Sequence, residues 1–427
     1  MGLALNASEL DELREYYRQI LAPFTNVFSQ IHSYLYVFLC VVGVFANIAI
    51  VVVLLRPAMR RSPFNLFLIC IAICDATLMA TYLLFKHVEF CHPWFFSHVW
   101  MIYTRFYAMF SVFVHSASLW FTVNMAVMRY LVLYRGSRTH SRLPPCNGYP
   151  AACVAIVVGA VIALIGSLPN MLRYRIKFVK EMPVPERCLE TKYHASWDES
   201  DTIYRYDLVQ PIWWNCQWER INFWVAACVL KLVPCVLLTV FMTLLVRMLI
   251  EARERRLRLC GGVPTGNSQA ERTTAMLTGI VAVFLITELP QGILGLAVGI
   301  NPRMMFITHP LGNFFDLLSL INSAVNFVLC ALMSHVFRRE FLHTFSMCCP
   351  QSSENHSGAP ITKPSTKTFL SVFTPKKPKD GFVAVPTNDQ RQNINDPNQA
   401  LIGEKSPAVE ITSDLFPISG LTEKTYC

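Results

Sequence analysis

Charged side chains are scarce in this sequence: they make up 15% of its 427 residues, against 53% hydrophobic. Ordinary soluble domains carry about 25% charge, so that class is excluded and a membrane protein is indicated. The basic start and short apolar core of a cleaved signal peptide are also missing, and residues 1–33 read as an extracellular N-terminal tail. No internal repeat is visible, which argues against the inverted-repeat plan of many transporters, the alternative class for a many-span chain. Neither HExxH nor GxSxG occurs, and His87, His92, His98 and His115 stand without ligand spacing. No enzyme, no metal site and no cofactor is therefore expected.

What is present is a set of seven apolar runs, each long enough for the roughly 20 residues a spanning helix needs. They are Tyr34–Leu55, Phe64–Phe85, Phe106–Tyr134, Tyr149–Leu172, Ile221–Val246, Thr274–Ile300 and Leu311–Met333. Seven of the 15 cysteines fall inside them and read as packing residues. The net charge of +9 sits in clusters beside the runs, which rejects a nucleic-acid partner. Arg56, Arg60 and Arg61, then Arg135, Arg138 and Arg142, then Arg253, Arg255, Arg256 and Arg258, and finally Arg338 and Arg339 occupy alternate connections. The positive-inside rule makes that side cytoplasmic and the N-terminus extracellular, with Asn6 of Asn-Ala-Ser a glycosylation site.

The domain plan expected is a tail over 1–33, a seven-helix membrane domain over 34–336, a short amphipathic surface helix over 337–349 and a disordered cytoplasmic tail over 350–427. Cys348 and Cys349, at the end of the amphipathic stretch, fit palmitoylation into the inner leaflet. The final tail is rich in Pro, Ser, Thr, Lys and Asn, so it offers sites to kinases and arrestin. The long connection 173–220 is rich in aromatics and reads either as a lid over an extracellular cavity or as an interfacial belt.

Polar groups inside the runs are costly in lipid and mark function. Glu271–Gly295 is the organising stretch, with Glu288 and Pro290 midway along an apolar helix, where Pro290 predicts a kink. Lys231 lies at comparable depth in the fifth run and is expected to pair with Glu288, either as a purely structural ion pair or as one that holds the resting packing until a ligand rearranges it. Asp75, Asn47, Asn322 and Asn326 are expected to converge on one internal hydrogen-bonded or ion-binding cluster.

Several of these residues stand in a familiar order. Asn47 in Gly-Val-Phe-Ala-Asn, Asp75 in Ile-Ala-Ile-Cys-Asp, Met128-Arg129-Tyr130, Pro234, and Asn326-Phe327-Val328-Leu329-Cys330 together resemble the landmarks of a rhodopsin-like (class A) G-protein-coupled receptor. The departures narrow the likeness. Thr287-Glu288-Leu289-Pro290 replaces the usual sixth-helix CWxP, Met128 replaces the acid before the arginine, and Phe327 replaces the seventh-helix proline. With ERTTAMLTGIVAVFLITELPQGILG and LGNFFDLLSLINSAVNFVLCALMS, these are similar to the invertebrate myosuppressin-type, FMRFamide-like neuropeptide receptors. Cys330 stands where that family carries tyrosine.

The resemblance implies a plasma-membrane receptor for an amidated peptide that signals to a heterotrimeric G protein. Ser111 where amine receptors carry aspartate, and Leu320 where opsins carry lysine, exclude amine and retinal ligands. An Arg-Phe-amide end calls for an acid to meet guanidinium, an apolar slot and amide partners. Asp316 is expected ahead of Glu288 as the acid, Gln291 and Asn313 as amide partners, and His115, Phe314 and Trp120 as packing residues. The output side is Arg129 with Tyr130, restrained at rest by Glu271 because Met128 offers no acid. Thr104 occupies the usual third-helix cysteine position, so any disulfide draws on Cys91, Cys188 and Cys216. The sequence alone does not choose the pair, with a small preference for Cys91 and Cys188 because Cys216 adjoins the fifth helix.

Overall fold

The computed structural model describes residues 7–88, 91–137, 148–189, 197, 200–259, 269–308, 310–333 and 335–346. Eight principal helices follow the sequence pattern. They are α1 (Ala7–Leu54), α2 (Pro63–His87), α3 (His98–Ser137), α4 (Tyr149–Leu172), α5, α6 (Gln269–Ile300), α7 (Gly312–Met333) and α8 (His335–Ser346). α5 runs through Cys216–Ala227, a π-helical turn Cys228–Leu232, and Val233–Leu259. Six of these helices are long and apolar enough to cross a membrane within the described residues, and α7 adds 22 residues at the seventh expected position.

The helices close into an all-α bundle. α1 packs on α2 and α7, α2 on α3, α3 on α4 and α5, α5 on α6, and α6 on α7. Its main core joins Phe67 of α2, Leu119, Trp120 and Phe121 of α3, Ala163 of α4, Leu238 of α5 and Phe284 of α6. Between α3 and α4 the approach is close enough to require glycine. A Cβ on Gly159 would meet Asn124 Nδ2 at 2.8 Å, where Asn124 donates to the Ala155 carbonyl at 2.7 Å. At the other end of the molecule, α8 lays Phe337 and Phe341 against α1 and α7, with Phe341 5.9 Å from Phe327.

Local chemistry sets the helix ends. Pro63 in the first turn of α2 has no N–H to leave unmet, and Lys86 and His87 close its last turn. The Asn215 side chain caps α5 by accepting from the Gln217 and Trp218 amides at 3.0 and 3.2 Å. The π turn of α5 lies just ahead of Pro234, whose ring cannot coexist with a regular bond from its own position to the Leu230 carbonyl. α6, by contrast, runs as an unbroken helix through Pro290.

Two features add to the sequence reading. The stretch 7–33, read as a tail, continues α1 as helix, giving 48 residues, or about 72 Å against a hydrocarbon core of roughly 30 Å. It is anchored: Phe24 and Phe28 pack on Phe314 at 5.8 and 5.6 Å, and His32 Nε2 bonds the Tyr82 hydroxyl at 3.0 Å. The long connection contains an antiparallel hairpin, β1 (Arg175–Pro183) and β2 (Thr202–Val209), with Phe178 opposite Tyr206 and a register irregularity after Phe178. A Cys91–Cys188 disulfide, Cα–Cα 5.2 Å, ties this connection to the α2–α3 link. The Trp197 indole donates to the Cys91 carbonyl at 2.7 Å.

Candidate functional site

Below the hairpin end of the bundle lies a cavity of about 340 Å³. α2 contributes Leu78 and Tyr82, α3 Tyr107, Ser111 and His115, α5 Phe223, Leu230 and Lys231, α6 Gln291 and Leu294, and α7 Phe315, Asp316 and Leu320. It is thus an apolar chamber with a few converging polar groups, the usual composition of a ligand site. Ser111 and Leu320, the positions compared above with the amine-receptor aspartate and the opsin lysine, both line it.

The floor is built around Glu288, which is fully buried. Its Oε2 accepts from Lys231 Nζ at 2.5 Å and lies 3.1 Å from His115 Nε2. The π turn carries Lys231, so the irregularity of α5 is what supports the cation that meets α6. Among the described residues, Glu288 Oε1, His115 Nδ1 and Gln291 Oε1 are buried without hydrogen-bond partners. In an apolar interior, such groups favour any ligand able to bond them.

Asp316 lies one turn inside the start of α7, near the mouth, with Lys86 of α2 as its charged neighbour and Tyr82 as a hydrogen-bond partner. Lys86 Nζ donates to Asn313 Oδ1 at 2.8 Å and sits 5.6 Å from the Tyr82 ring centre. Asp316, Gln291, His115 and Lys231 therefore share one chamber. Asn313 is engaged by Lys86. Phe314 turns the other way, against α1, and Trp120 is buried in the main core, its indole nitrogen without a partner among the described residues.

Deeper still, Asp75 gathers three helices. Its Oδ1 accepts from Ser118 Oγ at 3.0 Å and Ser323 Oγ at 3.1 Å, and its Oδ2 from Asn326 Nδ2 at 2.6 Å. Asn47 joins at the edge, donating to the Gly43 carbonyl at 2.9 Å and the Ser323 carbonyl at 3.4 Å. Among the described residues Asn322 is not one of the Asp75 partners, and the two serines take the place expected for it. Arg129 stacks its guanidinium 5.6 Å from the Phe64 ring centre, and Tyr130 packs 5.7 Å from Phe241. Glu271 is on α6, but its side chain lies outside the described residues, as do Asn6, Cys348 and Cys349.

A separate staple closes the hairpin end. Arg173 pairs with Glu219, which also accepts from the Trp214 indole at 2.6 Å and from Gln210 Nε2 at 3.3 Å. The Arg173 guanidinium lies over the rings of Tyr174 and Phe223, and burial pushes the Tyr174 phenol above its ordinary pKa. This staple joins the end of α4 to the start of α5, and with the hairpin it was not anticipated from sequence. The alternating apolar and polar residues of Thr202–Val209 were the available signal.

Comparison with known proteins agrees with this architecture. Residues 34–348 match the family model of the serpentine type 7TM GPCR chemoreceptor Srw. The chain is 30% identical over 416 aligned positions to the G-protein coupled receptor dmsr-1 of Caenorhabditis elegans, covering 83% of this chain and 76% of that one. It is 25% identical to the sex peptide receptor of Drosophila melanogaster, over 74% of this chain and 72% of the relative. The FMRFamide receptor of Drosophila melanogaster is 24% identical, over 71% and 52% respectively. With the helical bundle and its internal polar sites in place, the chain belongs to the serpentine seven-transmembrane family of G-protein-coupled receptors, as a multi-pass membrane receptor and not an enzyme.

Proposed function

We propose that this receptor recognises an amidated peptide of the Arg-Phe-amide, myosuppressin-like kind. In this reading the N-terminus and hairpin are extracellular and a heterotrimeric G protein binds at the Arg129 end. The observation that carries it is Asp316, an acid at the mouth of a mostly apolar chamber. A peptide arginine can take the carboxylate from Lys86, which keeps Asn313 as acceptor. The chamber volume, about 340 Å³, suits the end of a peptide and leaves the remainder to the hairpin and α1. The names of the FMRFamide and sex peptide receptors support a peptide ligand.

Activation then begins at the floor. Lys231–Glu288 holds α5 to α6 at rest, and ligand binding shifts the population toward a state in which the inner part of α6 has swung outward from Pro290. Lys231→Met with unaltered basal and evoked signalling would remove the pair from this role. Glu271 as restraint on Arg129, glycosylation at Asn6, palmitoylation at Cys348 and Cys349, and arrestin at the tail complete the proposal.

The test is signalling in cells that express the chain with a promiscuous G protein. Arg-Phe-amide peptides are expected to evoke a response that Asp316→Asn weakens by about 10- to 100-fold, the worth of one charge-assisted contact. Silence toward every such peptide, with surface expression verified, would overturn the ligand class.

A further inference from the structure

The chamber is lined by both a donor, Lys231, and an acceptor, Gln291. Lys231 lines it, and an ammonium has three N–H donors, of which Glu288 Oε2 takes one at 2.5 Å. Gln291, one turn beyond Glu288 on α6, also lines it and has a buried Oε1 without a partner. Asn313, the other side chain suited to an amide, is committed to Lys86.

We infer that this floor reads the chemical form of the ligand's C-terminus, accepting a neutral carboxamide and rejecting a carboxylate, with Lys231 and Gln291 as the contacts and Glu288 setting the charge. The inference rests on the amidated-peptide reading and adds the subsite that distinguishes an amide from an acid. A carboxamide oxygen accepts from the Lys231 ammonium while its NH₂ donates to Gln291 Oε1, so both floor groups are satisfied. A carboxylate has no hydrogen for Gln291 Oε1 and brings a second negative charge beside Glu288, whose Oε1 is itself unpartnered. Glu288 is essential to the discrimination because it neutralises Lys231. Without that charge, the floor would present an unpaired ammonium, the natural partner of the acid form.

The full chain is tested in cells with Phe-Met-Arg-Phe-amide and its free acid, comparing potencies. The wild type should prefer the amide. Glu288→Gln should lower the amide-to-acid potency ratio by about tenfold or more, chiefly through a gain for the acid. Gln291→Leu, which leaves the ion pair untouched, should weaken the amide by about tenfold and the acid little. If Glu288→Gln does not reach the surface, Gln291→Leu decides. An unchanged ratio in surface-expressed variants overturns the inference, as does equal wild-type potency for the two forms, which leaves the peptide-receptor reading intact. A wild type silent to both forms overturns that reading and the inference with it.

Discussion

Among the described residues Asp75 and Glu288 are the two most deeply buried carboxylates of the bundle, and they are held in opposite ways. Asp75 has both oxygens occupied, by two serine hydroxyls and one asparagine amide, with no cation among these donors. Glu288 places a lysine and a histidine on one oxygen and leaves the other bare. The first arrangement is a closed knot across α2, α3 and α7, in which each partner already has its bond. The second is an open one under a cavity, with capacity left for something else. A buried acid in a membrane helix therefore does not report its role by burial alone; how completely its oxygens are used separates these two.

The comparison predicts its largest effect at Glu288. Glu288→Ala strands Lys231 and His115 inside the bundle, and leaving one member of a buried pair alone costs about 3–5 kcal/mol. A large drop in thermal stability of the purified receptor is expected. Replacing the set with apolar groups, Glu288→Leu with Lys231→Met and His115→Phe, should recover most of it while abolishing ligand response. If the triple variant were as unstable as the single one, the set would be structural, and the contrast with Asp75 would fail.

Asp75→Asn should cost less, about 1.5–3 kcal/mol, the value of hydrogen bonds to a charged group. Asparagine keeps one acceptor oxygen: with it at the Oδ1 place the two serines go on donating and the Asn326 amide must flip to accept, and with it at the Oδ2 place Asn326 keeps its bond while the two hydroxyls turn to accept. Thermal melts of the two single variants under the same conditions rank the sites directly. A loss at Asp75→Asn equal to that at Glu288→Ala would mean that charge, not completeness of bonding, sets the difference.

The seven spans were legible because lipid admits few solutions: a run of about 20 apolar residues must form a helix with its backbone satisfied internally. Pairing of Glu288 with Lys231 was legible for the same reason, as two opposite charges at equal depth have few alternatives. The serines around Asp75 were not, since serine is commonplace in helices, whereas the rarer Asn322 drew attention without joining the site. Phe314 illustrates a signal that was present but unused. Two residues before Asp316, it points about 200° away around a helix of 3.6 residues per turn, and so meets α1 instead of the chamber. The π turn before Pro234 and the helical continuation of α1 through 7–33 had no comparable pattern. For the first, Pro234 marks an interruption of the helix but not that it is met by a π turn, and the second depends on contacts from Phe24, Phe28 and His32 to residues far along the chain.

The smallest effect tests the knot from inside. Ser323→Ala removes one of two donors on Asp75 Oδ1, while Ser118 keeps its bond at 3.0 Å. The Ser323 backbone carbonyl, which Asn47 uses, is unaffected by the change. A carboxylate oxygen with one donor remaining is not orphaned, so the loss should be about 1 kcal/mol, near the net worth of a single hydrogen bond. Ser118→Ala should behave alike, and the double variant should cost more than the two singles together, because only then is Oδ1 left bare in the way Glu288 Oε1 is. Additive losses, read from the same melts, would show that Asp75 does not depend on having both oxygens filled.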